Sequence, residues 1–129
     1  MTLVGIVGTG RMGSAMASAI RDAGLEVTVH NRTPERAQAL ATLLGCEVCA
    51  SPAEVASKAD IVLTMLADDA AVLESWRGPR GLIAGARPGT VLVDLSTVTP
   101  DTIRGLEADT RATGAGILDS PVSGSVTTA

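Results

Sequence analysis

GIVGTGRMGSAM, residues 5–16, decides how the chain folds. The apolar run that leads into it, Leu3–Val7, reads as a buried strand, and it passes directly into Gly8-Thr9-Gly10-Arg11-Met12-Gly13. Met12, Ala15, Met16, Ala19, Ile20 and Ala23 then recur at the three- and four-residue spacing of one helix face, and Gly24 ends the helix. In a chain with 14 glycines, a Gly-x-Gly-x-x-Gly spacing alone is a weak signal, and a plain glycine turn reads the same way. Set between a strand and a helix, the spacing has a mechanical sense. Gly8 permits the tight turn, Gly10 lets a pyrophosphate approach the backbone, and Gly13 lets the helix pack close on the strand. The unpaired N–H groups and positive dipole end of the helix attract phosphates. Thr9, Arg11 and Met12 complete the loop, and all six residues are expected at a dinucleotide.

Outward from this loop, short apolar runs alternate with helical patterns. Glu26–His30 reads as a second strand. Thr33-Pro34 sets a cap residue before a proline that starts a helix, with Ala37, Leu40, Ala41 and Leu44 inward and Gly45 closing it. Cys46–Cys49 is a weak, short strand. Ser51-Pro52-Ala53-Glu54 is a capping-box start for a helix to about Ala59. Asp60–Leu66 is a strong buried strand, and a helix follows over Asp69–Trp76. Gly78-Pro79-Arg80-Gly81 is a turn, followed by a short helical turn. Thr90–Ser96 and Gly116–Ser120 are further strands, separated by a helix that starts at Thr99-Pro100 with Ile103 and Leu106 inward. Strands that are apolar throughout, with helices between them, imply a parallel sheet covered on both faces. The expected fold is α/β, a Rossmann-type doubly wound, mostly parallel sheet of about six strands in a single domain over residues 1–129.

Composition agrees and excludes other classes. The chain is 46% hydrophobic but has one Trp and no Tyr or Phe, so its core is aliphatic. A net charge of -4, with no basic patch or aromatic stacking set, argues against a nucleic-acid partner. No apolar run is long enough to span a membrane. The start of the chain lacks the basic region of an export signal, and a reducing cytoplasm is the expected location for its two cysteines.

The end of the second strand should choose the dinucleotide. An NAD-preferring fold usually places an acid there to accept from the ribose 2′-OH. This chain has His30-Asn31-Arg32-Thr33, with no acid until Glu35. Arg32 can pair a 2′-phosphate, and the Asn31 and Thr33 side chains can bond to it. The expected cofactor is NADP. Thr33 can cap its helix at the same time.

GTGRMG (8–13), NRT (31–33), DLSTVTP (94–100) and DSPVSGS (119–125), in this order, resemble the cofactor domain of the β-hydroxyacid dehydrogenase family. That family includes 3-hydroxyisobutyrate dehydrogenase, tartronate semialdehyde reductase and glyoxylate/succinic semialdehyde reductase, with 6-phosphogluconate dehydrogenase as a relative. The resemblance covers the whole chain. It implies that Met65 and Leu66 line the cofactor near the adenosine and diphosphate, and that Thr97 lies on the nicotinamide side. It also implies that Ser123 and Gly124 bind a small carboxylate substrate, with Ser125 where the family often has Gly. A serine there is closer to the semialdehyde reductase branch. Read from the residues alone, Ser123, Gly124 and Ser125 fit an anion cradle at a strand's carboxyl end or an ordinary Ser/Gly loop equally well.

Family members are longer and carry an acid/base lysine beyond this point. Lys58 is the only lysine in this chain and reads as a surface residue, so no catalytic residue is assigned. The expectation is a cofactor domain cut short after half its substrate loop, inactive by itself. Its uncovered apolar surface or sheet edge would favour homo-oligomers. Imine reductases share the glycine loop, NRT and a DLS strand, but the Pro121-Val122-Ser123-Gly124 loop sets this chain apart from them. A non-catalytic NADP-binding or subunit-interaction module is the alternative of a different class.

Other features read as structural. Cys46 and Cys49 are three apart on an extended strand and point to opposite faces. His30 is expected at the adenine side or in a capped loop. Asp68-Asp69 complements a helix start. Asp94 and Asp119 are expected to make loop hydrogen bonds, and Trp76 to pack at the domain surface.

Overall fold

A computed structural model describes residues 2–121 of the chain. Six parallel strands form one sheet: β1 (Leu3–Val7), β2 (Glu26–His30), β3 (Glu47–Val48), β4 (Ile61–Thr64), β5 (Val91–Asp94) and β6 (Gly116–Asp119). Their order across the sheet is β3-β2-β1-β4-β5-β6, the dinucleotide-binding arrangement in which the strand order reverses beside β1. The helices are α1 (Arg11–Asp22), α2 (Pro34–Leu44), α3 (Pro52–Lys58), α4 (Asp69–Trp76), α5 (Leu82–Gly85) and α6 (Pro100–Ala112).

The two-residue alternation of β1 splits the core. Val4 and Ile6 face one side, where Ala17 of α1 and Ala37, Leu40 and Ala41 of α2 pack on them with Val27 and Val29. Val7 faces the other side, where α3 through α6 bring Val55, Val72, Trp76, Leu82, Ile103 and Leu106 onto Val62 and Leu92. Cys49 is in this second layer, whereas Cys46 packs against the first. Both cysteines are free, and they lie on opposite faces as the extended spacing requires.

Two expectations about packing are corrected. The buried line of α1 is Gly13 and Ala17, with Ile20 packed beside it. Met12, Ala15 and Met16 are only half-buried, and Ala19 and Ala23 are exposed. The first turns of the helix sit so close to the sheet that Gly13 and Ala17 face inward. Trp76 is also not at the surface: it is fully buried, in the layer with Leu82 and Leu106. It falls four residues after the buried Val72, on the inward face of α4.

β6 is the edge of the sheet, and Leu118 on it is 57% exposed. In register with Leu118 are Val93 on β5 and Leu63 on β4, both half-buried. These side chains point away from the Trp76 layer, so an apolar row crosses that half of the sheet without full cover.

Candidate cofactor site

The loops leaving β1 and β4 diverge where the strand order reverses, and the crevice between them is the ligand position in such sheets. Gly8 turns the chain there with φ +100, and its N–H donates to the His30 carbonyl at 2.9 Å. A Cβ on Gly8 would lie 2.1 Å from the Met65 carbonyl oxygen, and one on Gly13 would lie 2.0 Å from that of Gly8. Strand, loop and helix are therefore in backbone contact, as the spacing predicts. Gly10 differs: a Cβ there meets no described atom within 4 Å. It caps α1, and no side chain accepts from the first turn, so the N–H groups of that turn have no side-chain cap among the described residues.

Asn31 holds this loop in place. Its Oδ1 accepts from the Thr9 N–H at 3.0 Å, and its Nδ2 donates to the Thr33 carbonyl at 3.2 Å. Ser14 adds a hydroxyl bond to the Thr9 carbonyl at 3.0 Å. The Thr9 hydroxyl oxygen is buried with no partner among the described residues. A bare Gly10, an uncapped helix start and an orphaned hydroxyl together fit a diphosphate.

Beside the loop lies a cavity of about 570 Å³, whose lining includes Gly8, Asn31, Arg32, Leu66, Glu74 and Arg80. Leu66 is set from the neighbouring strand: its N–H donates to Ser96 Oγ at 2.8 Å, just beyond β5. Thr64 Oγ1 donates to Asp94 Oδ1 at 2.7 Å. Asp94 is fully buried, and loss of water pushes its carboxyl above the ordinary carboxylate value. Its role is the expected hydrogen bonding, although its partner is a neighbouring strand. Arg80 Nη2 donates to the Ala50 carbonyl at 2.9 Å. Arg32 Nη1 lies 3.8 Å from Glu74 Oε2, and both side chains are open to solvent.

The expected site residues thus divide. Gly8, Asn31, Arg32 and Leu66 line the cavity. Thr9, Gly10, Arg11, Met12 and Gly13 form the adjoining loop and helix start. Met65 contributes its backbone against Gly8. Thr33 stands at the N-cap of α2 but makes no side-chain cap bond, and Thr97 is exposed outside the cavity lining. Ser123, Gly124 and Ser125 lie outside the described residues. Glu74, Arg77 and Arg80 line the cavity without having been singled out in the sequence; the first reads as a helix surface residue and Arg80 as part of a turn.

His30 also lines the cavity. His30 Nδ1 is 3.0 Å from the Cys49 carbonyl oxygen. Lys58 pairs with Glu47 and Glu54, and these pairs hold its ammonium above the usual lysine range. Glu47, Cys49 and Glu54 come close enough for a cation, but Lys58 already neutralises the acids and burial raises the Cys49 thiol.

Residues 3–129 match the family defined by the NAD binding domain of 6-phosphogluconate dehydrogenase. The chain belongs to that family. This 6-phosphogluconate dehydrogenase-type domain is also similar to curated proteins of greater length. It is 39% identical over 122 residues to the cytokine-like nuclear factor N-PAC of Danio rerio, covering 95% of this chain and 26% of that one. It is 34% identical over 125 residues to the mitochondrial 3-hydroxyisobutyrate dehydrogenase of Homo sapiens, covering 97% and 37%. Among solved structures, the Mycobacterium tuberculosis 3-hydroxyisobutyrate dehydrogenase superposes with TM-score 0.86 at 33% identity, over 98% of this chain and 42% of that one. An imine reductase from Myxococcus stipitatus in complex with NADP+ superposes with TM-score 0.84 at 28% identity, over 98% and 43%. The 6-phosphogluconate dehydrogenase-type domain therefore spans between about a quarter and two fifths of these relatives. It is a nicotinamide-cofactor binding domain of the β-hydroxyacid dehydrogenase type.

Proposed function

We propose that the domain binds NADP(H) for an oxidoreductase that passes hydride between the nicotinamide and a small 3-hydroxy acid or its semialdehyde. The bound nicotinamide would supply the hydride. The chain's own residues supply the phosphate loop (Gly8 to Gly13), the Asn31 tether and a cationic ribose end. The observation that carries the NADP assignment is Arg32, which borders the cavity just beyond the end of β2, the position where an NAD-preferring fold places an acid. The NADP+ held by the Myxococcus stipitatus imine reductase supports the same choice. Ser123, Gly124 and Ser125 are proposed to take the substrate carboxylate. Lys58 is tied to Glu47 and Glu54 on α3 and is no candidate for the acid/base group, so we place that group outside these residues and expect the chain alone to turn over no hydroxy acid. A cytoplasmic setting, without nucleic acid or membrane, belongs to the same reading.

Calorimetric titration of the purified chain with NADPH and with NADH tests the proposal. Saturable NADPH binding with much weaker NADH binding is expected. An R32Q chain with the same NADPH-to-NADH ratio as wild type removes Arg32 as the selector, and a folded chain that binds neither removes the cofactor role. The likeness to N-PAC favours a second reading, a non-catalytic cofactor-binding or interaction module. Assay of the gene's full product separates the two: hydroxy-acid oxidation supports the first reading, and cofactor binding without turnover the second.

A further inference from the structure

The cavity has cationic residues around it and one carboxylate facing them. Arg32, from the loop after β2, and Arg80, from the turn before α5, both border it. Arg80 is engaged by the Ala50 carbonyl. Among the described residues Arg32 has only Glu74, which comes from α4 on the other side of the opening, with Nη1 and Oε2 3.8 Å apart. The side chains are 85% and 65% exposed, so the pair adds little to stability. Its geometry instead places a negative charge beside the cation that would receive a ribose 2′-phosphate.

We infer that Glu74 is a specificity-determining residue that weakens the preference for the phosphorylated cofactor. A 2′-phosphate of charge near −2 must displace Glu74 from Arg32 and then lie close to it, at an electrostatic cost. An unphosphorylated ribose carries a 2′-OH in the same place, and a carboxylate accepts from it. Glu74 thus does from α4 what an acid at the end of β2 does in NAD-preferring folds, and it opposes Arg32 across one opening. This inference rests on the NADP reading above.

The test is a double-mutant cycle on the purified chain, with wild type, E74Q, R32Q and the double variant titrated calorimetrically with NADPH and NADH. E74Q should tighten NADPH about three- to tenfold, the size of one solvent-screened charge contact, and leave NADH equal or weaker. R32Q should abolish the preference, and in that background E74Q should change NADPH affinity less. Raising salt should shrink the E74Q effect. Equal melting temperatures across the set show that folding is not at issue. A wild type that prefers NADPH, with the E74Q ratio within about twofold of it, overturns the role of Glu74 and leaves the NADP reading standing. A wild type that binds neither cofactor overturns both.

Discussion

At the scale of single residues, the glycine loop separates folding from binding. Gly13 has no room for a methyl group because the Gly8 carbonyl is already there, whereas Gly10 faces open space. Gly10→Ala should therefore leave the melting temperature nearly unchanged, within about 0.5 kcal/mol, and cost about tenfold or more in cofactor affinity. Gly13→Ala should lose both. Calorimetry and thermal melts of the two variants check this, and a Gly10→Ala chain that binds as well as wild type would remove the loop from the site. Asp94 carries a pH signature. Its carboxyl is raised in the folded chain, so the native state keeps a proton that the unfolded state releases above the ordinary value of 3.8. Stability contributed at this position falls as pH rises from there towards the folded value. Asp94→Asn should flatten that part of the melting profile. The packing roles of Gly8 and Gly13 were legible in the sequence because strand, spacing and helix are contiguous. The partner of Asp94 was not, since Thr64 comes from a different strand.

At the scale of elements, helix starts show what a motif can and cannot promise. Thr33-Pro34, Ser51-Pro52 and Thr99-Pro100 all read as capped beginnings. Ser51 Oγ accepts from the Glu54 N–H at 3.1 Å, and Glu54 reaches back to the Ala50 N–H at 2.7 Å. Neither Thr33 nor Thr99 makes a side-chain cap bond. Thr99 turns its hydroxyl to Asp69 on α4, which also accepts from Thr102. Ser51→Ala should accordingly cost about 1 kcal/mol, and Thr33→Ala less than about 0.5 kcal/mol. Denaturant titration distinguishes them, and equal losses would mean that the cap bond at Ser51 carries no stability. Element order was readable because local pattern sets it, but the strands read over Asp60–Leu66 and Thr90–Ser96 are shorter, Ile61–Thr64 and Val91–Asp94, since apolar side chains continue past the last ladder pair. The face a helix buries was less so: periodicity ranks side chains by hydrophobicity, and α1 buries Gly13 and Ala17 for their small size.

At the scale of the whole molecule, the parallel sheet was legible from the alternation of apolar strands and helices. Half of the site was not. Glu74 and Arg80 reach the cavity from elements remote from the glycine loop in sequence, and only the topology brings them there. The apolar row Leu63, Val93 and Leu118 is likewise assembled by strand register. We expect it to drive self-association, the proposed homo-oligomer. Sedimentation should show concentration-dependent association that Leu118→Lys suppresses, and a wild type monomeric at all concentrations would dismiss the idea. The buried position of Trp76 has an optical consequence. It is the chain's sole aromatic fluorophore, enclosed by aliphatic side chains, so the folded protein should emit at short wavelength and shift to the red on unfolding. Its neighbours Ser75 and Arg77 border the candidate cofactor cavity, and reduced nicotinamide absorbs where indole emits. Energy transfer from this one indole would give a single intrinsic signal for both the folded state and the loaded state.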